Sequence, residues 1–68
     1  MDKLISELIA RRNTLRLTQE YLAELAGVSL RTVKAIESGA GNPRVSTLIK
    51  LADVLGMELR WIVKPHNL

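Results

Sequence analysis

Residues 19–38 read Gln-Glu-Tyr-Leu-Ala-Glu-Leu-Ala-Gly-Val-Ser-Leu-Arg-Thr-Val-Lys-Ala-Ile-Glu-Ser. Leu22, Ala23, Leu25 and Ala26 fall at the spacings that put apolar side chains on one helical face. Thr18, just before the stretch, is a good N-cap for the first-turn amides. Gly27 ends this helix, because glycine takes the left-handed conformation at a helix C-terminus without steric cost. Only Val28 separates that stop from Ser29, the next N-cap. The following helix is expected over residues 30–38, with Gly39 as its stop. Two helices joined by about three residues must cross at a steep angle.

The crossing has its own steric demands. Leu22, Ala26, Val28, Val33 and Ile36 stand where two such helices press together, and Ala23 is small where the second crosses closest. Gly27 sits in the turn, and neither helix contains proline. Jointly these features spell a helix-turn-helix unit, and the joint match is far more specific than any one of them.

Outward from this unit the chain is helical on both sides. A first helix is expected over residues 2–13, with Leu4, Ile5, Leu8 and Ile9 in one arc. Arg12 lands in the middle of that arc, so it must either snorkel or meet a buried carboxylate. Residues 40–44 form a loop stiffened by Pro43. A fourth helix is expected from Ser46, as its N-cap, burying Leu48, Leu51, Ala52 and Leu55 before Gly56. The period then changes. Met57, Leu59, Trp61 and Val63 alternate with Glu58, Arg60, Ile62 and Lys64, which reads as a strand ended by Pro65.

A lone strand in a helical chain has no ladder partner for its amides and carbonyls, and an open edge carrying Trp61, Ile62 and Val63 invites aggregation. Pairing with the same strand of a second copy around a two-fold axis solves both problems. Residues 57–64 are therefore expected to close a homodimer, with Met57, Leu59, Trp61, Ile62 and Val63 in the interface. The rival is a flap folded back on its own helices. The expected architecture is all-α: a four-helix domain over residues 1–56, one C-terminal β-strand pairing across a homodimer over 57–64, and a tail over 65–68.

The chain has 68 residues, no cysteine, one histidine, 47% hydrophobic and 25% charged residues, and a net charge of +3. Such a chain buries only about 60% of its extended surface. It has no disulfide to staple it, and His66 alone cannot build a zinc site. No apolar run approaches the roughly 18 residues of a membrane span, and Met1-Asp2-Lys3 leads into an amphipathic segment without a signal-peptide pattern. A soluble, cytoplasmic protein is expected. A pI near 9.8 favours an acidic partner such as DNA.

The stretch from Leu17 to Ser29, followed by Thr32-Val33 and Ile36-Glu37-Ser38-Gly39, resembles the XRE family of phage Cro/repressor-type DNA-binding domains. Asn42-Pro43, Thr47-Leu48 and the run Leu51 to Gly56 are also similar to that family. The resemblance covers residues 2–56 and implies a sequence-specific, DNA-binding transcriptional regulator, nucleoid-associated, that reads a palindromic operator. A four-helix domain followed by a dimerising strand resembles, by its architecture, the HipB-like antitoxin branch. That branch implies repression of its own operon and a HipA-like kinase toxin as partner. Many relatives carry a fifth helix where this chain has the expected strand.

Within this frame the helix over 30–38 is the recognition helix. Opposite buried Val33 and Ile36 lie Arg31, Lys34, Ala35 and Ser38. Arg31, near the N-terminal end, reaches deepest into a major groove, where its fork matches O6 and N7 of guanine. Leu30 suits a thymine methyl, Ser29 and Thr32 a phosphate or a base edge, Lys34 either as well, and Ser38 a phosphate. Ala35 offers only an apolar surface where relatives often have a longer polar residue. The resemblance implies that Gln19 clamps a phosphate, aided by its helix N-terminus. Arg44 is placed at the DNA backbone or an adjoining minor groove, with Asn42 beside it. Arg12 and Glu37 are expected as a structural ion pair, as is common in the family.

Two other functions compete. A protein-interaction adaptor would use the strand and outer faces carrying Tyr21 and Val54. An enzyme would need its seven carboxylates placed beside a nucleophile, metal cluster or phosphate loop, and no such spacing occurs. No cofactor is expected.

Overall fold

The computed structural model describes residues 2–65, and His66 with the rest of the tail lies outside them. Four helices make up the fold: α1 (Asp2–Thr14), α2 (Gln19–Ala26), α3 (Leu30–Glu37) and α4 (Val45–Leu55). The central helix is α2, which packs on both α3 and α4, while α1 also packs on both.

One core unites them. Ile5 and Leu8 come from α1, Leu22 and Ala23 from α2, Val33 and Ile36 from α3, and Leu48, Leu51 and Leu55 from α4; all are buried. Leu4, Ile9, Ala26, Val28, Val54 and Met57 pack around this centre. Each helix is shorter than the ~12–15 residues needed for marginal independent stability, or only just reaches it, so packing holds them rather than propensity. Leu25 departs from its expected place on the α2 stripe: it is 50% exposed. Leu22, Ala23 and Ala26 already fill the narrow arc that α2 turns toward its neighbours, and Leu25 falls outside it.

The N-caps of α2 and α3 follow from their hydroxyls. Tyr21 N–H donates to Thr18 Oγ1 and Thr32 N–H donates to Ser29 Oγ, each at 3.0 Å. The expected cap at Ser46 is corrected. Helix α4 starts at Val45, with Arg44 in extended backbone as its cap residue and no side-chain capping bond. Leu48 N–H already bonds the Arg44 carbonyl at 3.0 Å, so the helical ladder begins before Ser46 can cap it.

All four helices end alike. A residue in left-handed backbone donates its amide three residues back, and the next amide donates five back. In α2, α3 and α4 that residue is Gly27, Gly39 and Gly56, with φ of 70°, 78° and 69°. The helix α3 itself ends at Glu37, with Ser38 as its C-cap. In α1 the left-handed residue is Arg16, φ 57°, whose amide donates to Asn13 while Leu17 donates to Arg12. Left-handed backbone costs an L-residue roughly 1–2 kcal/mol.

Beyond Gly56 the expected strand is absent: residues 57–65 form neither helix nor strand. A strand needs an edge to pair with, and the described residues of one chain supply none. The segment divides instead. Met57 lies half-buried against the core, and Leu59 sits by Leu4, Leu8, Leu48 and Ala52. From Trp61 to Pro65 the side chains stand in solvent, with Trp61 100%, Ile62 84% and Val63 92% exposed. Among the described residues no helix is long and apolar enough to cross a membrane.

Candidate nucleic-acid interface

Helix α3 is fixed from behind and open in front. Val33 is fully buried and Ile36 nearly so, which sets the helix's rotation. Arg31, Lys34, Ala35 and Ser38 are consequently exposed, with Leu30 and Thr32 half-buried at the flanks. Among the described residues neither Arg31 nor Lys34 has an ion-pair partner. Two cations on a rigid helix face, with no carboxylate to satisfy them, are free for an external anion.

The hydroxyls on this helix are partly committed. Ser29 Oγ accepts from the Thr32 amide and lies 2.8 Å from Thr32 Oγ1. One of that hydroxyl pair keeps a hydrogen for an outside acceptor. Ser38 Oγ donates to the Ala35 carbonyl at 2.9 Å. Its remaining lone pairs cannot bond a phosphate oxygen, which only accepts.

Gln19, Arg12 and Glu37 are brought together at the far end of α3. Arg12 donates from Nε to Glu37 Oε2 at 2.7 Å and from Nη2 to Oε1 at 2.9 Å. Its Nη1 donates to the Leu17 carbonyl at 2.7 Å. The two side chains are only 13% and 7% exposed, so this planar bidentate pair is largely withdrawn from water. Gln19 Nε2 donates to Glu37 Oε1 at 2.9 Å. Arg12 and the carboxylate together tie the end of α1, the loop after it, the start of α2 and the end of α3. The Gln19 amide is oriented by that bond and keeps a second N–H to offer.

Arg44 comes to the same side. It lines a shallow groove with Asn42, Pro43 and Thr47 along Thr32 and Ala35 of α3. The groove places a third exposed cation beside the exposed face of α3, flanking the position where Ala35 offers no polar group. By contrast Met57, expected in the dimer contact, already packs on the core of its own chain, leaving Leu59 partly and Trp61, Ile62 and Val63 almost wholly exposed.

Sequence reasoning missed two contacts here. The Gln19–Glu37 bond spans 18 residues, and a glutamine in a first turn carries no signal of its partner. Arg11 Nε donates to the Leu55 carbonyl at 2.8 Å, placing a cation at the C-terminus of α4, where unsatisfied carbonyls and the helix dipole favour it. Among the described residues no three His, Cys, Asp or Glu side chains gather to hold a metal.

Comparison with known proteins agrees with this geometry. A family model described as helix-turn-helix matches residues 8–62. An uncharacterized HTH-type transcriptional regulator of Haemophilus influenzae is 43% identical over 56 residues, covering 82% of this chain and 57% of that protein. The cryptic phage CTXphi transcriptional repressor RstR of Vibrio cholerae is 35% identical over 64 residues, covering 87% and 57%. An uncharacterized HTH-type transcriptional regulator, y4dJ, of Sinorhizobium fredii is 38% identical over 68 residues, covering 98% and 88%. The chain spans a little over half the length of the first two.

Proposed function

This chain belongs to the XRE-type helix-turn-helix family, and on that premise we propose that it is a sequence-specific DNA-binding transcriptional regulator. The observation that carries the reading is the exposed, unpaired Arg31–Lys34 face on a helix whose rotation Val33 and Ile36 lock. Arg31 reads a guanine edge, Lys34 a base or a phosphate, and Leu30 a thymine methyl. Gln19 and Arg44 hold the phosphates on either side and so set the register of α3 in the groove. Ser29 and Thr32 contribute their one spare hydroxyl hydrogen; Ser38 is the weakest member of the set. The named repressor among the relatives favours repression as the sign of regulation.

The protein acts as a homodimer in this reading. Trp61, Ile62 and Val63 are too apolar to remain as exposed as they are in one chain, and pairing residues 57–64 of two copies covers them. Two recognition helices then lie about 34 Å apart, one turn of DNA, and read a palindrome. The antitoxin reading and its kinase partner rest on the same pairing of residues 57–64, and the regulator reading stands without them.

Footprinting of the protein on DNA from upstream of its own gene tests the proposal. A protected palindrome whose half-sites are one helical turn apart is expected. Uniform, sequence-independent protection would contradict sequence reading, and no protection at low salt would contradict DNA binding altogether.

A further inference from the structure

Arg16 is the one left-handed residue that is not glycine among the described residues. Three of the four helix ends solve the same geometry with glycine, so the fold asks for glycine there and finds arginine. A strained residue of this kind points to a use for its side chain. The other two arginines of this region are consumed by the fold: Arg11 holds the Leu55 carbonyl, and Arg12 holds Glu37 and the Leu17 carbonyl. Arg16 is exposed, and among the described residues its guanidinium has neither a hydrogen-bond acceptor nor a carboxylate.

Its location is set by the same network that orients Gln19. The carbonyl of Leu17, the next residue, accepts from Arg12, which grips Glu37 at the end of α3, and Glu37 also receives Gln19. The loop carrying Arg16 is therefore pinned beside Gln19 and the recognition helix. We propose that Arg16 is a DNA-backbone contact, gripping a phosphate next to the one held by Gln19. This rests on the DNA-binding reading above. It adds a sequence-independent clamp from outside α3.

The substitution Arg16→Gly separates the side chain's two effects, because they have opposite signs. Removing the strain should raise the melting midpoint by a few degrees. Removing the cation should weaken binding equally to operator and scrambled DNA, by about eightfold per Arg16 lost at 0.1 M salt, and reduce the salt slope by about one per contact. Arg16→Ala should lose the same affinity, and Arg16→Lys should keep the parent's slope. Fluorescence anisotropy over a salt series, beside thermal melts, reads all of these. A more stable glycine variant with the parent's affinity and slope would overturn the contact while leaving the regulator reading intact. A loss in the glycine variant that Arg16→Ala does not share would trace the effect to loop flexibility and also overturn it. Failure of the parent to bind DNA would overturn both readings.

Discussion

At the scale of single residues, the pair Arg12–Glu37 has most to do. It joins the first helix to the last residue of α3, with Gln19 as a third member. Removing one partner of a largely desolvated pair costs about 3–5 kcal/mol, because the other charge stays behind. A domain of this length holds roughly 3–10 kcal/mol in total. Arg12→Met is thus expected to drop the melting midpoint by more than about 10 °C, and the double change with Glu37→Leu should recover much of the loss. An unchanged midpoint in the single variant would contradict the role. The pair was legible in the sequence because each charge lies beside an apolar stripe, and a charge there needs a partner. Gln19 gave no such signal, since a polar residue in a first turn is satisfied by water alone.

Among the elements, α3 depends on its entrance. Ser29 Oγ caps the Thr32 amide and its hydroxyl meets Thr32 Oγ1. Ser29→Ala should cost about 1 kcal/mol of stability, visible as a midpoint lowered by about 4–8 °C. A shift below a degree would mean that water replaces the cap. Helix ends were the most readable part of the chain where glycine or a capping hydroxyl marks them, as at Thr18, Gly27, Ser29, Gly39 and Gly56. They were least readable where the marker is missing. Nothing in the residue type of Arg16 announces left-handed backbone. Ser46 announced a cap that α4 does not use, because Arg44 reaches the cap geometry two residues sooner. Leu25 shows a related limit: helical spacing places it near the stripe, yet only the packing of α3 and α4 around α2 decides how wide that stripe is.

For the whole molecule the open question posed by the fold is the segment after Gly56. Its alternating apolar pattern reads as a strand, but pairing is a property of two segments, and the described residues of one chain present no second edge. Alternation sets which faces a strand would have; it does not supply the partner that makes one. Under the dimer reading, Trp61→Lys should shift the sedimentation coefficient at micromolar concentration from dimer to monomer with the melting curve of the helical body nearly unchanged. A parent protein that sediments as a monomer there would contradict the dimer. Under the same reading the dimer sets the operator spacing, and α3 sets what is read within each half-site.

The central claim is that α3 reads sequence through Arg31, and the ratio of affinities for operator and scrambled DNA measures it most directly. Arg31→Ala should lose about 1–3 kcal/mol of discrimination per half-site, so that the ratio falls by at least tenfold while the melting midpoint holds. A ratio equal to the parent's, in a variant that folds as well, would contradict sequence reading by this helix.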